Sequence, residues 1–165
     1  MGDWREQLRK LVRARGTEHF PLLVFDVALP SGAAWPDNLP SCQGLLDFYR
    51  LCDGGPLSLQ YNWCSLSELE AETATWCESL HNYHDDGQPV LIPGRHVVLA
   101  IDSGGAPVIW DADSDRLASF FFKGGDWEPY NMGFEEFMEA LFFDPERVAA
   151  EGMWSEALEQ LAEMA

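Results

Sequence analysis

Apolar residues recur with helical spacing in five segments of the chain. In the first, positions 4, 8, 11 and 12 are apolar, which predicts an amphipathic helix over residues 3–15. Asp3 stands where an N-cap residue belongs, because its carboxylate can accept a hydrogen bond from the first helical turn. Ser41 and Ser67 are expected to cap the next two helices. The later helices are predicted at residues 134–142 and, for the C-terminal helix, at about 155–164.

Other segments carry the patterns of β-strands. Residues 57–61 alternate between apolar and polar with a period of two, which predicts a strand with one buried face. Residues 97–101 are continuously apolar, as is typical of a central strand covered on both faces. Residues 107–110 and 117–122 are expected to follow as antiparallel hairpin strands. This order of elements predicts a single α+β domain over residues 1–165, with a mixed, mostly antiparallel sheet flanked by helices.

A double glycine separates the second helix from the first predicted strand. Asp53, Gly54 and Gly55, followed by Pro56, form a strong helix-breaking sequence. Because the chain ends a helix and immediately starts a strand there, at least one of the two glycines is expected to have a positive φ angle. We therefore predict a structural role for this turn.

The charge of the chain limits the partners that it can bind. The sequence has 28 Asp and Glu residues against 10 Lys and Arg residues, a net charge of −18. A protein that tracks phosphate groups needs the opposite sign, so we expect no nucleic-acid partner and no anionic membrane surface. The basic first helix has only about three turns, and we interpret it as packing on its own domain. A cationic protein is compatible with the charge.

The sequence also bears on the compartment. No apolar run approaches the roughly 20 residues that a membrane-spanning helix needs. The first residues have no apolar stretch of the kind found in signal peptides. The four cysteines include no C-x-x-C pair, and in such a chain they are expected to be reduced. These features predict a cytoplasmic protein.

One cluster has a spacing that suggests metal ligands. Cys77 and His81 lie one helical turn apart, with His84 three residues later and two aspartates, Asp85 and Asp86, after it. Zinc accepts such ligands. A structural zinc site usually needs a second, separated pair of ligands, which the sequence does not show. A polar helix end that runs into a loop is therefore the favoured interpretation.

A second cluster superficially resembles a calcium-binding loop. Asp111, Asp113 and Asp115 alternate across a short turn, but Arg116 stands where such a loop needs glycine. We interpret this segment as a solvated hairpin turn. The chain also lacks the motifs of nucleophilic elbows, phosphate-binding loops and dinucleotide sites. We therefore predict no enzyme activity, no catalytic residues, no metal and no cofactor.

Aromatic residues beside carboxylates suggest a protein interface. Trp127 and Tyr130 are predicted to lie in a loop between a strand and a helix, close to Asp126 and Glu128. Such residues form protein interfaces, and they also serve as lids over a hydrophobic core, so both interpretations stay open. The predicted partner-binding residues are Asp111, Asp113, Asp115, Asp126, Trp127, Glu128 and Tyr130.

Several segments together resemble the SUKH superfamily. A Leu-Pro pair precedes a helix that bears an aromatic pair, and an Asp-Gly-Gly turn then leads into a strand. Further segments resemble the strand, the hairpin return and the closing helix of the family. The resemblance covers residues 39–143, and it is carried by Leu39-Pro40, Leu45, Phe48-Tyr49, Cys52-Asp53-Gly54-Gly55, Leu66 to Leu69, Ala100-Ile101-Asp102, Gly104-Gly105, Val108-Ile109-Trp110-Asp111 and Phe134-Glu135-Glu136-Phe137.

The resemblance implies a mixed sheet flanked by helices, without catalytic residues. Many bacterial members of the superfamily are immunity proteins, each of which binds and neutralises a toxin such as a nuclease or a deaminase. An acidic surface suits a partner that presents a cationic substrate cleft. We therefore expect an immunity protein for a cationic toxin. The alternative is a cytoplasmic adaptor or regulator without a toxin partner, whose acidic charge serves solubility.

Overall fold

The computed structural model describes residues 3–15, 25–58, 60–85, 88–121 and 125–164. The described helices are α1 (Trp4–Ala14), α2 (Gln43–Leu51), α3 (Leu69–Ser79), α4 (Phe134–Phe143) and α5 (Met153–Glu163). The described strands are β1 (Gly55–Leu57), β2 (Tyr61–Trp63), β3 (His84–Asp85), β4 (Gln88–Pro89), β5 (His96–Asp102), β6 (Pro107–Asp111), β7 (Arg116–Phe121) and β8 (Asp126–Pro129).

Six of these strands form one sheet in the order β1-β2-β5-β6-β7-β8. Every strand pairing between described residues is antiparallel, and β3 pairs with β4 as a separate two-stranded hairpin. The predicted α+β class is therefore confirmed. The central strand β5 is almost entirely buried, as its continuous apolar sequence predicts.

A β-bulge divides the central strand. The pairing of β5 with β6 shifts register between Val98 and Ala100, which leaves Leu99 as the extra residue. As a result, Leu99 and Ala100 both enter the same hydrophobic core, although neighbours in a regular strand face opposite sides. Val98, just before the bulge, faces the opposite side of the sheet.

The sheet buries both of its faces. The larger core lies on the face covered by α1, α2, α4 and α5, where aromatic residues such as Phe48, Trp63 and Phe134 pack edge to face. The smaller core lies on the other face, where the second half of α3 covers Val98 and Phe120. Helix α3 therefore begins at the larger core, to which Leu69 belongs, and its second half covers the opposite face of the sheet.

The helical layer is tied together by a charged cluster. The predicted N-cap of α1 is confirmed, because the Asp3 carboxylate accepts a hydrogen bond from the Arg5 N–H at 3.0 Å. The Arg5 guanidinium donates to Asp47 of α2 at 2.8 Å and also pairs with Glu135 of α4. Trp4 Nε1 donates to the same Glu135 carboxylate at 2.7 Å. Three helices are thus joined by interactions that begin in the first turn of α1.

Five local predictions from the sequence are wrong in detail. Residues 57–61 are not one strand: Leu57 ends β1, Tyr61 begins β2, and Ser58 has a φ of 67°. The N-cap positions of α2 and α3 are Cys42 and Glu68, each one residue beyond the predicted serine. Trp127 lies in an edge strand, β8, rather than in a loop. Helix α5 begins two residues before the predicted start.

None of the described helices is both long enough and apolar enough to cross a lipid bilayer.

Candidate functional site

The first of the predicted binding residues, Asp111, is held by an ion pair. Arg95 Nε and Nη2 donate to its two carboxylate oxygens at 2.8 and 2.9 Å, and Ser114 Oγ also donates to it. The hydrogen bonds from Arg95 hold the pKa of the Asp111 carboxyl well below its usual value. Asp111 therefore joins the turn before β5 to the end of β6, and it is not the freely solvated group that the sequence suggests.

Asp115 also has a structural role. Its carboxylate accepts hydrogen bonds from Trp110 Nε1 at 2.8 Å and from the Phe134 N–H at 3.4 Å, at the first turn of α4. Of the three alternating aspartates, only Asp113 has a largely exposed side chain without a short hydrogen bond of its own. Asp111 and Asp113 share Arg95, whose Nε lies 3.4 Å from Asp113 Oδ2, whereas Asp115 turns to Trp110 and the start of α4. The three carboxylates therefore do not converge on one cation position.

The aromatic residues of this region face opposite sides of the sheet. Trp127 packs against Phe120 and His96, with ring centroids 5.1 and 6.0 Å apart, on the side that α3 covers. Tyr130 contacts the larger core and accepts a hydrogen bond from Tyr61 Oη at 3.2 Å. Both side chains are half-buried, as the lid interpretation expects.

The carboxylates on either side of Trp127 in the sequence point to the opposite face of the sheet. Asp126 and Glu128 are exposed on the edge strand β8, and they alternate with Trp127 along it. The structure therefore does not bring the seven predicted binding residues together into one surface.

The possible metal ligands do not assemble among the described residues. No group of three or more His, Cys, Asp or Glu side chains in that part of the chain is placed to hold a metal ion. Cys77 is half-buried in α3, and His81 is exposed just beyond its end. Asp86 and the side chains of His84 and Asp85 lie outside the described residues.

The Asp53-Gly54-Gly55 turn has the predicted structural role. Gly54 and Gly55 have φ angles of +79° and +101°, which confirms that the turn needs glycine. Asp53 Oδ1 accepts a hydrogen bond from the Leu66 N–H at 2.7 Å, which connects the turn to the segment before α3. The Asp53 side chain is thereby held at the N-terminal end of α3.

Five carboxylates surround α3 on its exposed side. Asp53 lies beside the start of the helix, and the others follow along its length; we call this set the α3 surface. Within the described residues, no Lys, Arg or His side chain forms an ion pair with any of them. The α3 surface comprises Asp53, Glu68, Glu70, Glu72 and Glu78.

The carboxylates of this surface accept hydrogen bonds from neutral donors. The Ser65 N–H donates to Glu68 at 3.0 Å, and Asn38 Nδ2 donates to Glu70 at 2.9 Å. The bond from the Ser65 N–H lowers the pKa of Glu68, so this group is ionised at neutral pH. Burial, with the negative charges of Glu72 and Glu68, raises the pKa of the Cys64 thiol to about 12. Neutral N–H groups therefore orient Glu68 and Glu70, and no described cation compensates their negative charge.

On the helical side of the molecule, only part of the acidic charge is paired, and the exposed Glu151, Glu156 and Glu163 around α5 form no ion pair among the described residues. There, Arg5 neutralises Asp47 and Glu135, and Arg147 pairs with Glu136 at 2.8 Å. The lack of cations beside α3 is visible in the amino-acid sequence, although the spacing of apolar residues does not reveal it. Residues 51–94 contain seven acidic residues and no Lys or Arg, and this stretch includes the whole of α3.

Two depressions flank the α3 surface. A pocket of about 290 Å³ lies between α3 and the β1–β2 hairpin, and its lining includes the carboxylates of Asp53, Glu68 and Glu72. A larger groove of about 450 Å³ lies on the other side of α3, and Glu70 and Glu78 stand along it. The surface can therefore offer concave binding sites as well as negative charge.

Comparison of the chain with protein-family models, with curated proteins and with solved structures found no match. The resemblance to the SUKH superfamily accordingly stays a prediction.

Proposed function

We propose that this protein is a non-enzymatic binding domain that captures a cationic protein through the α3 surface. The observation that carries the proposal is the set of five carboxylates around α3, none of which is paired with a cation among the described residues. Uncompensated charge on a rigid element attracts an oppositely charged partner from a distance and accelerates association. A carboxylate that is paired with a neighbouring cation has a much weaker effect at a distance.

The partner that best suits this surface is a basic toxin, such as a nuclease or a deaminase whose cationic cleft binds nucleic acid. The protein then acts as an immunity protein: its carboxylates take the place of substrate phosphates, as the family resemblance implies. We place this activity in the cytoplasm. The four cysteines, all free thiols and two of them buried, suit a reducing compartment.

The first experiment measures association with the product of the neighbouring gene by surface plasmon resonance. We expect the triple variant Glu70→Gln, Glu72→Gln, Glu78→Gln to lower the association rate about tenfold at low salt. Raising the salt from about 0.1 M to 1 M shortens the Debye length from about 10 Å to about 3 Å, and it should slow the wild type toward the rate of the variant.

The matched control removes the same charge from the opposite side of the molecule. Glu151, Glu156 and Glu163 are exposed around α5, and their replacement by Gln should leave the association rate within about twofold of wild type. Equal slowing by the two triple variants would show that only the net charge matters and would contradict the assignment of the surface.

Co-expression separates the immunity function from the adaptor alternative. If the neighbouring product is a toxin, the wild-type protein should restore growth and the α3 triple variant should restore it less. Binding to a product that does not impair growth would instead favour an adaptor or regulator.

A further inference from the structure

The groove on one side of α3 combines an apolar floor with an acidic rim. Leu39, Ala74, Cys77 and Pro93 contribute apolar atoms to its lining, and its volume is about 450 Å³. Ala74 and Pro93 are exposed, and Leu39 and Cys77 are half-buried, so the floor is open to solvent. Water at such a floor is displaced favourably by an apolar side chain, because apolar surface gains free energy when it leaves water.

The rim of the groove carries charge of one sign. Glu70 and Glu78 line it, and none of the Lys and Arg residues in the described part of the chain does. Glu70 accepts its hydrogen bond from a neutral amide, that of Asn38. The cation nearest in sequence to Gly94 at the groove is Arg95, whose guanidinium is held by Asp111. The groove is therefore complementary to an apolar side chain that has cationic neighbours.

A second groove, between α1, α4 and α5, lacks this combination. It is larger, at about 580 Å³, and it is also mainly apolar, with Phe142 and Leu158 in its lining. Its charged lining residues are of opposite sign, however: Lys10 comes from α1 and Glu159 from α5. A basic segment gains little from such a rim, since the lysine repels what the glutamate attracts.

We propose that the groove beside α3 receives one apolar side chain from a Lys- and Arg-rich segment of the partner. This inference rests on the proposed function and adds the anchor that the carboxylates alone do not supply. The acidic rim attracts the segment, and the buried apolar side chain then slows its dissociation. The rim therefore sets the rate of association, and the floor sets the rate of dissociation.

The test uses two synthetic peptides of Lys and Arg that differ only at one central residue, Leu in one and Ser in the other. Fluorescence anisotropy measures their binding to the full-length protein at low and high salt. The wild type should bind the Leu peptide about tenfold more tightly than the Ser peptide, because a buried Leu side chain contributes free energy of that order. Both peptides should share the same salt-dependent component of affinity.

Ala74→Trp fills the groove without changing any charge. We expect this variant to bind the two peptides equally, at the affinity that the wild type has for the Ser peptide. The matched control is Ala162→Trp, the same substitution at an exposed alanine of the second groove, and it should keep the full preference for Leu. Loss of the preference in the control alone would move the docking site to the second groove and overturn the proposal.

A measurement on the wild type guards against misfolding of the variant. On titration with the Leu peptide, the methyl NMR signal of Ala74 should shift and that of Ala162 should not.

The outcomes distinguish the two proposals. If the wild type binds both peptides equally but with strong salt dependence, the groove inference is wrong while the proposed function stands. Absence of salt-dependent binding by either peptide contradicts the proposed function itself. Concentration-dependent dimerisation that Ala74→Trp abolishes would assign the groove to a second copy of this chain and overturn the proposal.

Discussion

At position 54, the surrounding backbone leaves room for glycine and for no residue with a side chain. A Cβ atom added there would lie 2.4 Å from the carbonyl oxygen of Cys64 and 2.7 Å from that of Trp63. Both are backbone atoms, which cannot move aside as the end of a flexible side chain can. The positive φ angle adds strain for any L side chain. We expect Gly54→Ala to lower the free energy of unfolding by about 3 kcal/mol, from strain and close contact together.

The control for this prediction is Gly32→Ala. Gly32 has a similar φ angle, +75°, but a Cβ atom there would have no neighbour within 4 Å. Its substitution should cost about 1 kcal/mol from backbone strain alone. Urea unfolding measures both variants, and equal destabilisation would show that the contact with the carbonyl oxygens is unimportant.

The three aspartates of the acidic turn show why the role of a single residue is hard to predict from the sequence. Asp111, Asp113 and Asp115 look alike in sequence, yet Arg95 holds the first and the indole of Trp110 holds the third. Their difference arises from partners that the turn brings near them. Neutralising all three would therefore remove contacts that support the fold as well as surface charge.

At the scale of elements, the position of α3 depends on one buried hydrogen bond. Thr73 Oγ1 accepts from the Val98 N–H at 3.0 Å, beside the bulge in β5, and Thr73 is 4% exposed. The threonine hydroxyl thereby satisfies a buried backbone donor of the central strand. This bond therefore ties the helix of the proposed binding surface to the central strand.

Thr73→Val tests this link because valine has nearly the same shape but no hydroxyl group. The substitution leaves a buried N–H without its partner, and we expect a loss of about 1–3 kcal/mol in the free energy of unfolding. Thr75→Val, two residues away on the exposed side of α3, should change it by less than about 0.5 kcal/mol. Thermal unfolding compares the two, and a Thr73→Val protein as stable as wild type would rule out this role.

The elements differ in how well their sequence predicts them. Helices α1 and α4 and the strands β5, β6 and β7 were predicted because each carries its own periodic pattern over several residues. The hairpin of β1 and β2 was missed because its strands have three residues each, too few to show alternation. The sequence of the edge strand β8 indicates a loop instead, because Pro129 and two carboxylates leave it little apolar character, which suits the edge of a sheet.

The charge of the whole molecule should limit its stability. With 28 acidic and 10 basic residues, the folded state carries strong self-repulsion, which salt screens. We expect the melting temperature to rise by roughly 2–4 °C, equivalent to about 1 kcal/mol, when NaCl is raised from low to moderate concentration. The triple Glu→Gln variants of the α3 surface and of the α5 region should both melt higher than wild type at low salt and respond less to it.

Calorimetry at matched ionic strength, with NaCl and with choline chloride, distinguishes screening from binding of a particular cation. The two salts should act alike if screening is the cause. A melting temperature that falls as salt rises would mean that the attractive pairs, such as Arg5 with Glu135, outweigh the repulsion.

The sequence by itself determined the class of fold and the sign of the protein's own net charge. Periodic apolar residues specify helices and strands locally, and an excess of carboxylates persists in any fold that the chain adopts. Only the tertiary structure decided which of those carboxylates remain available. Pairing with a cation depends on distances of a few ångströms between groups far apart in the chain, as between Arg5 and Glu135. The fold brings a cation to that glutamate and none of the described cations to the α3 surface, and for this reason the proposed site lies beside α3 rather than in the acidic turn that the sequence suggested.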